Sequence, residues 1–266
     1  MGKSRNCVCP YVICDGLNVI KGLTAVSFLD HKLTTIIYAM DVVDLEPDAK
    51  DWSGWLDSRR IHAAHRFKQS MDRARCIGAG LLLSYAVRCY DEKQNIPQKV
   101  KRNAAGKPWL PNMPGFHFNI SHSGKWAICA AGNRALGVDI EQVRRDKHGV
   151  VNRFFSPSEQ EYLQSFAEEQ QGSGFIELWV LRESYAKATG LGLRLPMRQF
   201  SIQMNNGPLV LHNEKRASYS LALCDFVDRD YCLGLAVKGK EIHPQYIIKY
   251  VSHEAVCSHL EISDVC

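Results

Sequence analysis

The chain has 266 residues, 45% hydrophobic and 23% charged. This ordinary globular composition excludes a wholly disordered chain and allows one large domain or two small ones. No apolar run reaches the roughly 18 residues a spanning helix needs. The start, MGKSRNCVCP, has neither the apolar stretch nor the cleavage site of a secretion signal, and Asn6 breaks the myristoylation pattern. Lys and Arg number 33 against 28 Asp and Glu, a net charge of +5. That suits an anionic ligand or an acidic partner and is too small to argue for nucleic acid.

The expected compartment is therefore the cytoplasm, with the 10 cysteines as reduced thiols. Cys7, Cys9 and Cys14 cluster in CVCPYVIC, but their spacing matches no zinc pattern, and they read as small, half-buried residues. Residues 1–33 show no clear periodicity and are taken as an N-terminal extension.

From there the chain alternates between the two periodicities. Thr34–Val43 is rich in β-branched residues and predicts a strand. Asp57–Phe67 and Asp72–Tyr90 predict helices, the second from Ala74, Ile77, Leu81, Leu82 and Tyr85 at helical spacing. Arg102–Pro114 is a Gly/Pro-punctuated loop. Phe116–Ile120, Lys125–Ala130 and Leu136–Glu141, separated by the turns Ser123-Gly124 and Gly132-Asn133, predict a meander. Ser156, Pro157 and Glu159 form a capping box with Pro at the first helical position. That helix ends before Gly172, and a second is expected from about Phe175 to Thr189, capped by Gly190. Strands follow at Phe200–Met204, Leu209–His212, Tyr219–Phe226 and Tyr231–Val237, with turns at Asn206-Gly207 and Asp228–Asp230. The expected class is α+β, in two α+β halves, 34–134 and 135–240, with a C-terminal tail at 241–266. No internal repeat relates the halves.

Three segments carry candidate chemistry. In Gly137-Val138-Asp139-Ile140-Glu141, strand alternation turns Val138 and Ile140 towards a core and Asp139 and Glu141 to the other face, about 7 Å apart. Alone, that pair reads as two solvated acids. In the later helix, Trp179, Arg182, Glu183, Ala186 and Lys187 fall at spacings of three and four, a polar stripe where an inward face usually carries Leu or Val. It reads either as a surface Glu–Lys pair or as the wall of a polar cleft. In the cleft reading Glu183 is a third oxygen ligand, the set suits a hard cation such as magnesium, and Lys187 holds a phosphate. The third segment, Phe118–Gly124 (FNISHSG), ends a strand in a tight turn where Ser121, His122 and backbone N–H groups suit an anion. It lacks the Gly-x-Ser-x-Gly elbow of a hydrolase nucleophile. Arg102, Gly106 and Lys107 add positive charge and a flexible backbone upstream.

In this order, FNISHSG, GVDIE and WVLRESYAKATGLGL resemble the motifs of the 4′-phosphopantetheinyl transferase superfamily, in its surfactin-synthetase-activating type. GKPWLP matches that family's Gly-Lys-Pro loop, and Arg66, Phe67, Asp72 and Arg75 match the helix before it. The resemblance runs from about Thr34 to Val237. It implies two α+β halves related by a pseudo-two-fold, with the active site in the cleft between them. It also implies magnesium-dependent transfer of phosphopantetheine from coenzyme A to a serine of an apo acyl- or peptidyl-carrier protein. By the same resemblance, Asp139, Glu141 and Glu183 hold the metal. Glu183 also deprotonates the carrier serine, and Lys187 stabilises the leaving 3′,5′-ADP. Ser121 and His122 contact the 3′-phosphate region, Lys107 and Arg102 the coenzyme, and Arg60 lies where the family has a further basic residue for that phosphate. Arg182 stands where Lys is usual and is counted with the coenzyme contacts. A monomer is expected, because one chain supplies both sides of the cleft. The competing readings are a coenzyme A-binding protein without transferase activity and a metal-dependent nuclease. The charge and the coenzyme-loop motifs disfavour the nuclease.

Overall fold

The computed structural model describes residues 12–14, 34–143, 154–192, 195–204, 207–212 and 215–262. Its centre is two β-sheets packed face to face, each covered by helices on its outer side. Strand β2 (Thr35–Asp41) shows why its sequence is apolar without a break. Ile37 and Ala39 face the second sheet, whereas Tyr38 and Met40 face the helices, so both sides are buried. Helices α1 (Ser58–His65) and α2 (Ser70–Tyr90) pack on that outer side, where Ile77, Leu81 and Leu82 join Tyr38 and Met40.

The chain then passes through the short ribbon β3 (Lys101–Arg102) and β4 (Pro108–Trp109). The three strands expected as a meander form as β5 (His117–Ser123), β6 (Trp126–Gly132) and β7 (Leu136–Gln142), but only β5 and β6 pair as a hairpin. Strands β5 and β6 join β2 in the first sheet, whereas β7 leaves it to begin the second. Helix α3 (Pro157–Gln164) opens with the predicted capping box: Ser156 Oγ accepts from the Glu159 N–H, and Glu159 accepts from the Ser156 N–H.

Helix α4 (Glu168–Thr189) begins about two turns earlier than predicted and runs straight through Gly172. Gly174 packs beneath the Phe166 ring just before the helix, and Glu168 and Glu169 in the first turn favour the helix N-terminus electrostatically. Gly190 caps the other end at φ +70°, as expected.

Strands β8 (Phe200–Gln203), β9 (Leu209–His212) and β10 (Lys215–Arg216) make a small sheet. Strands β11 (Tyr219–Cys224) and β12 (Tyr231–Lys238) complete the second main sheet in the order β11-β12-β7. Of the predicted turn Asn206-Gly207, Asn206 lies outside the described residues.

Of the expected tail, 241–266, the described part to residue 262 is built into the fold. Strand β13 (Tyr246–Tyr250) inserts into the first sheet parallel to β2, Tyr246 opposite Thr35, and α5 (His253–Ile262) packs on α2 through Val256 and Leu260. Within the extension, β1 (Val12–Cys14) pairs in parallel with β13, giving the order β1-β13-β2-β6-β5. Cys7 and Cys9 lie outside the described residues. Among the described cysteines, Cys76, Cys89, Cys129, Cys224, Cys232 and Cys257 are thiols outside any disulfide. Among the described residues, no helix is long and apolar enough to cross a membrane.

Candidate active site

The site forms where α4 lies across β7. Two glycines allow this contact. A Cβ on Gly137 of β7 would fall on the Ser184 carbonyl oxygen and the Ala188 nitrogen, and one on Gly234 of β12 would meet the Val180 carbonyl at 2.6 Å. Both strands therefore approach the helix backbone directly, and the side chains beside Gly137 on that face meet those of α4. Gly137→Ala is expected to push α4 off the sheet. The variant should lose several kcal/mol, the scale of severe overpacking, in chemical denaturation, and its coenzyme binding with it.

Val138 and Ile140 enter the core between the sheets, and Asp139 points the other way, as alternation predicts. Lys187, in the last turn of α4, donates to Asp139 Oδ1 at 2.6 Å, to Ser121 Oγ at 3.0 Å and to the Val138 carbonyl at 3.2 Å. Asp139 is only 5% exposed, and its other oxygen, Oδ2, is buried with no hydrogen-bond partner. Glu183, one turn before Lys187, is half-buried. Burial and the nearby Asp139 and Glu141 carboxylates raise its pKa, against the opposing pull of Lys187. The three acids thus share one electrostatic neighbourhood. Among the described residues, however, no three His, Cys, Asp or Glu side chains converge closely enough to ligate one ion. The residues still fit a hard cation. Their donors are all carboxylate oxygens, and an unmatched buried acceptor such as Asp139 Oδ2 is costly unless a donor or cation meets it.

A cavity of about 680 Å³ opens beside them, with Glu183, Lys187, Lys107, Asn119, Phe154 and Arg198 in its wall. Lys107 is anchored in that wall. Its ammonium donates to the Leu136 and Ala188 carbonyls, both at 2.9 Å, stapling the Gly-Lys-Pro loop to β7 and to the end of α4. Burial lowers its pKa to about 8. Asn103 adds a second staple, to the Gly190 carbonyl at 2.9 Å.

His122 is exposed on the far side of Ser121. Its pKa is lowered, first by desolvation and then by the neighbouring cations Arg75, Lys187 and Arg60. Arg75 is tied to Asp72 and to the Gly124 carbonyl. Arg60 lies across Gly80 and donates to the Cys76 carbonyl at 3.2 Å. Arg102 is exposed and bonded to the Gly106 carbonyl at 2.8 Å, outside the cavity wall.

Two expectations change. Arg182 does not face the cleft. It is fully buried and paired with the equally buried Glu159, and its guanidinium lies 4.3 Å from the Phe200 ring centroid. Neighbouring helix positions point about 100° apart, so Arg182 can turn into the core while Glu183 faces the cavity, and Arg182 leaves the coenzyme set. Ser121 is also turned inward, its hydroxyl engaged by Asp139, Lys187 and the Ile140 N–H. Sequence reasoning missed the roles of Asn119 and Ser123, and it read Glu159 only as part of a capping box and not as the partner of Arg182. The first two were detectable as polar residues at every second position of a strand, 119, 121 and 123.

The matching family models agree with this architecture. "4′-phosphopantetheinyl transferase, N-terminal" matches residues 46–134, and "4′-phosphopantetheinyl transferase superfamily" matches 135–236. A "4′-phosphopantetheinyl transferase" of Bacillus subtilis is 36% identical over 149 residues, covering 51% of this chain and 66% of the relative. The "4′-phosphopantetheinyl transferase Sfp" of Bacillus subtilis (strain 168) is 37% identical over 153 residues, covering 57% and 67%. The "4′-phosphopantetheinyl transferase ffp" of Bacillus subtilis is 32% identical over 167 residues, covering 63% and 71%. The chain thus spans about two thirds of the length of each of these relatives. It belongs to the 4′-phosphopantetheinyl transferase superfamily, in its surfactin-activating, Sfp type.

Proposed function

We propose that this chain transfers the 4′-phosphopantetheine arm of coenzyme A to a serine of an apo acyl- or peptidyl-carrier protein, releasing 3′,5′-ADP. The observation that carries this reading is the meeting of β7 and α4, which sets Lys187 and Glu183 in the cavity wall and pairs Lys187 with Asp139 behind them. In the reaction the serine oxygen forms a bond to the pantetheine phosphorus, and the anhydride bond to 3′,5′-ADP breaks. Glu183 takes the serine proton. Its raised pKa makes it a stronger base than an ordinary carboxylate. Lys187 keeps a positive charge beside the departing phosphate, where it matters most as charge develops. Lys107 and the loop around it form the part of the cavity wall that receives the coenzyme. Asp139, Glu141 and Glu183 would hold a magnesium ion, which when bound would neutralise pyrophosphate oxygens.

The basic group around His122, with Arg60 and Arg75, suits the 3′-phosphate. His122→Ala should weaken coenzyme A binding by about 10–100-fold, the loss of one charge-assisted hydrogen bond, and 3′-dephospho coenzyme A far less. Calorimetric titration of both ligands decides this. Equal losses would make His122 structural. On the same reading the two halves, 34–134 and 135–240, are related by a pseudo-two-fold, each long helix lying on its own sheet. The net positive charge favours encounter with acidic carriers.

Mass spectrometry of a panel of apo-carriers incubated with coenzyme A and magnesium tests the function. A gain of one phosphopantetheine supports it. Coenzyme binding without any mass gain would favour the non-transferring alternative.

A further inference from the structure

Strand β5 is the edge of the first sheet and β7 the edge of the second, and the two are not paired through their backbones. An edge strand leaves alternate N–H groups without partners. Here side chains do that work. Asn119 Oδ1 accepts from the Val138 N–H at 2.9 Å, Ser121 Oγ from the Ile140 N–H at 3.3 Å, and Ser123 Oγ from the Gln142 N–H at 3.2 Å. Each rung joins residues 19 positions apart, so the register is constant. Each serine also donates its proton to the acid beside its rung: Ser121 to Asp139 Oδ1 at 2.9 Å, and Ser123 to Glu141 Oε2 at 3.2 Å.

A hydroxyl has one donor and two acceptor sites. Ser121 uses all three, because Lys187 donates to it as well. It has nothing left for a coenzyme phosphate. Its side of the strand is buried, whereas His122 on the other side is exposed.

We propose that Ser121 and Ser123 are positioning residues: with Asn119 they form a side-chain zipper between the two sheet edges that fixes the register of β7 and aims Asp139 and Glu141. This deepens the transferase reading and rests on it only for the activity arm of the test. Hydroxyls are the smallest groups that both satisfy a strand N–H and donate to the acid between rungs. Alanine removes both bonds, and threonine keeps both.

The test uses the full chain with Ser121→Ala, Ser123→Ala and the corresponding threonine variants. Hydrogen exchange of the Ile140 and Gln142 amides reads the zipper directly, whatever the chain's activity. Ser121→Ala should accelerate exchange at Ile140, Ser123→Ala at Gln142, and each threonine variant should restore protection. With an apo-carrier as acceptor, each alanine variant should lower kcat about tenfold, the loss of one hydrogen bond to a charged group. KM should change equally little for coenzyme A and 3′-dephospho coenzyme A. Wild-type exchange in both alanine variants would overturn the proposal. So would a rise in KM confined to coenzyme A, which would make Ser121 a phosphate contact. If Ser121→Ala does not fold, the half-buried Ser123 at the strand end carries the test alone. A wild-type chain that modifies no carrier would sink the transferase reading, while the exchange data would still decide the zipper.

Discussion

Glu183→Gln should abolish most carrier modification, a loss of about 10²–10⁴-fold in the chemical step, the usual contribution of a positioned general base. Gln keeps the size and removes both the base and one anionic donor. Lys187→Ala should differ in kind: coenzyme still binds, while single-turnover transfer at saturating coenzyme A slows. An unchanged chemical step in Lys187→Ala would remove its role at the leaving phosphate, and full activity in Glu183→Gln would bring down the base assignment. The raised pKa of Glu183 adds two signed expectations. Wild-type transfer should climb with pH through that raised value, because only the ionised carboxylate accepts a proton. Folding stability runs the other way. A carboxyl whose pKa is raised in the fold contributes stability that is present below its ordinary 4.5 and lost as pH rises through the folded value. Metal-free Glu183→Gln should therefore be more stable than the metal-free wild type near neutral pH, with the difference shrinking below about pH 4. Denaturant titrations at both pH values check this, and a destabilised variant at neutral pH would contradict it.

The second large effect concerns stability. Glu159 holds α3, α4 and β8 together: it caps α3, pairs with Arg182, and accepts from the Ile202 N–H at 2.9 Å. Glu159→Gln keeps the shape and leaves the Arg182 charge buried without its anion. Breaking one partner of such a pair costs about 3–5 kcal/mol, which chemical denaturation will read. Because Arg182 faces away from the cleft, KM for coenzyme A should stay near the wild-type value under conditions where the variant remains folded. A large rise in KM with little loss of stability would return Arg182 to the coenzyme site.

Much of this protein was legible in its sequence because the relevant information is local. Val138 and Ile140 alternate with Asp139 and Glu141 by strand geometry alone, and the capping box at Ser156 and the left-handed cap at Gly190 depend on a few adjacent residues. The order of the motifs carried the family. Glu183 and Lys187 share a helix stripe for the same local reason. The rest depended on which surfaces meet. A helical spacing of three and four spans a broad arc, so the stripe from Trp179 to Lys187 did not reveal that Arg182 turns into the core. Glu159, from another helix, and the Phe200 carbonyl make that burial tolerable. Gly172 looked like a break although α4 runs through it, and residues 241–266 looked like a tail until β13 found a place beside β2. The zipper from Asn119 to Ser123 is invisible for a related reason. Its rungs join the edges of two different sheets, and a polar side chain buried between them is stable only when the partner's unpaired N–H groups arrive in matching register, a condition that tertiary packing alone creates.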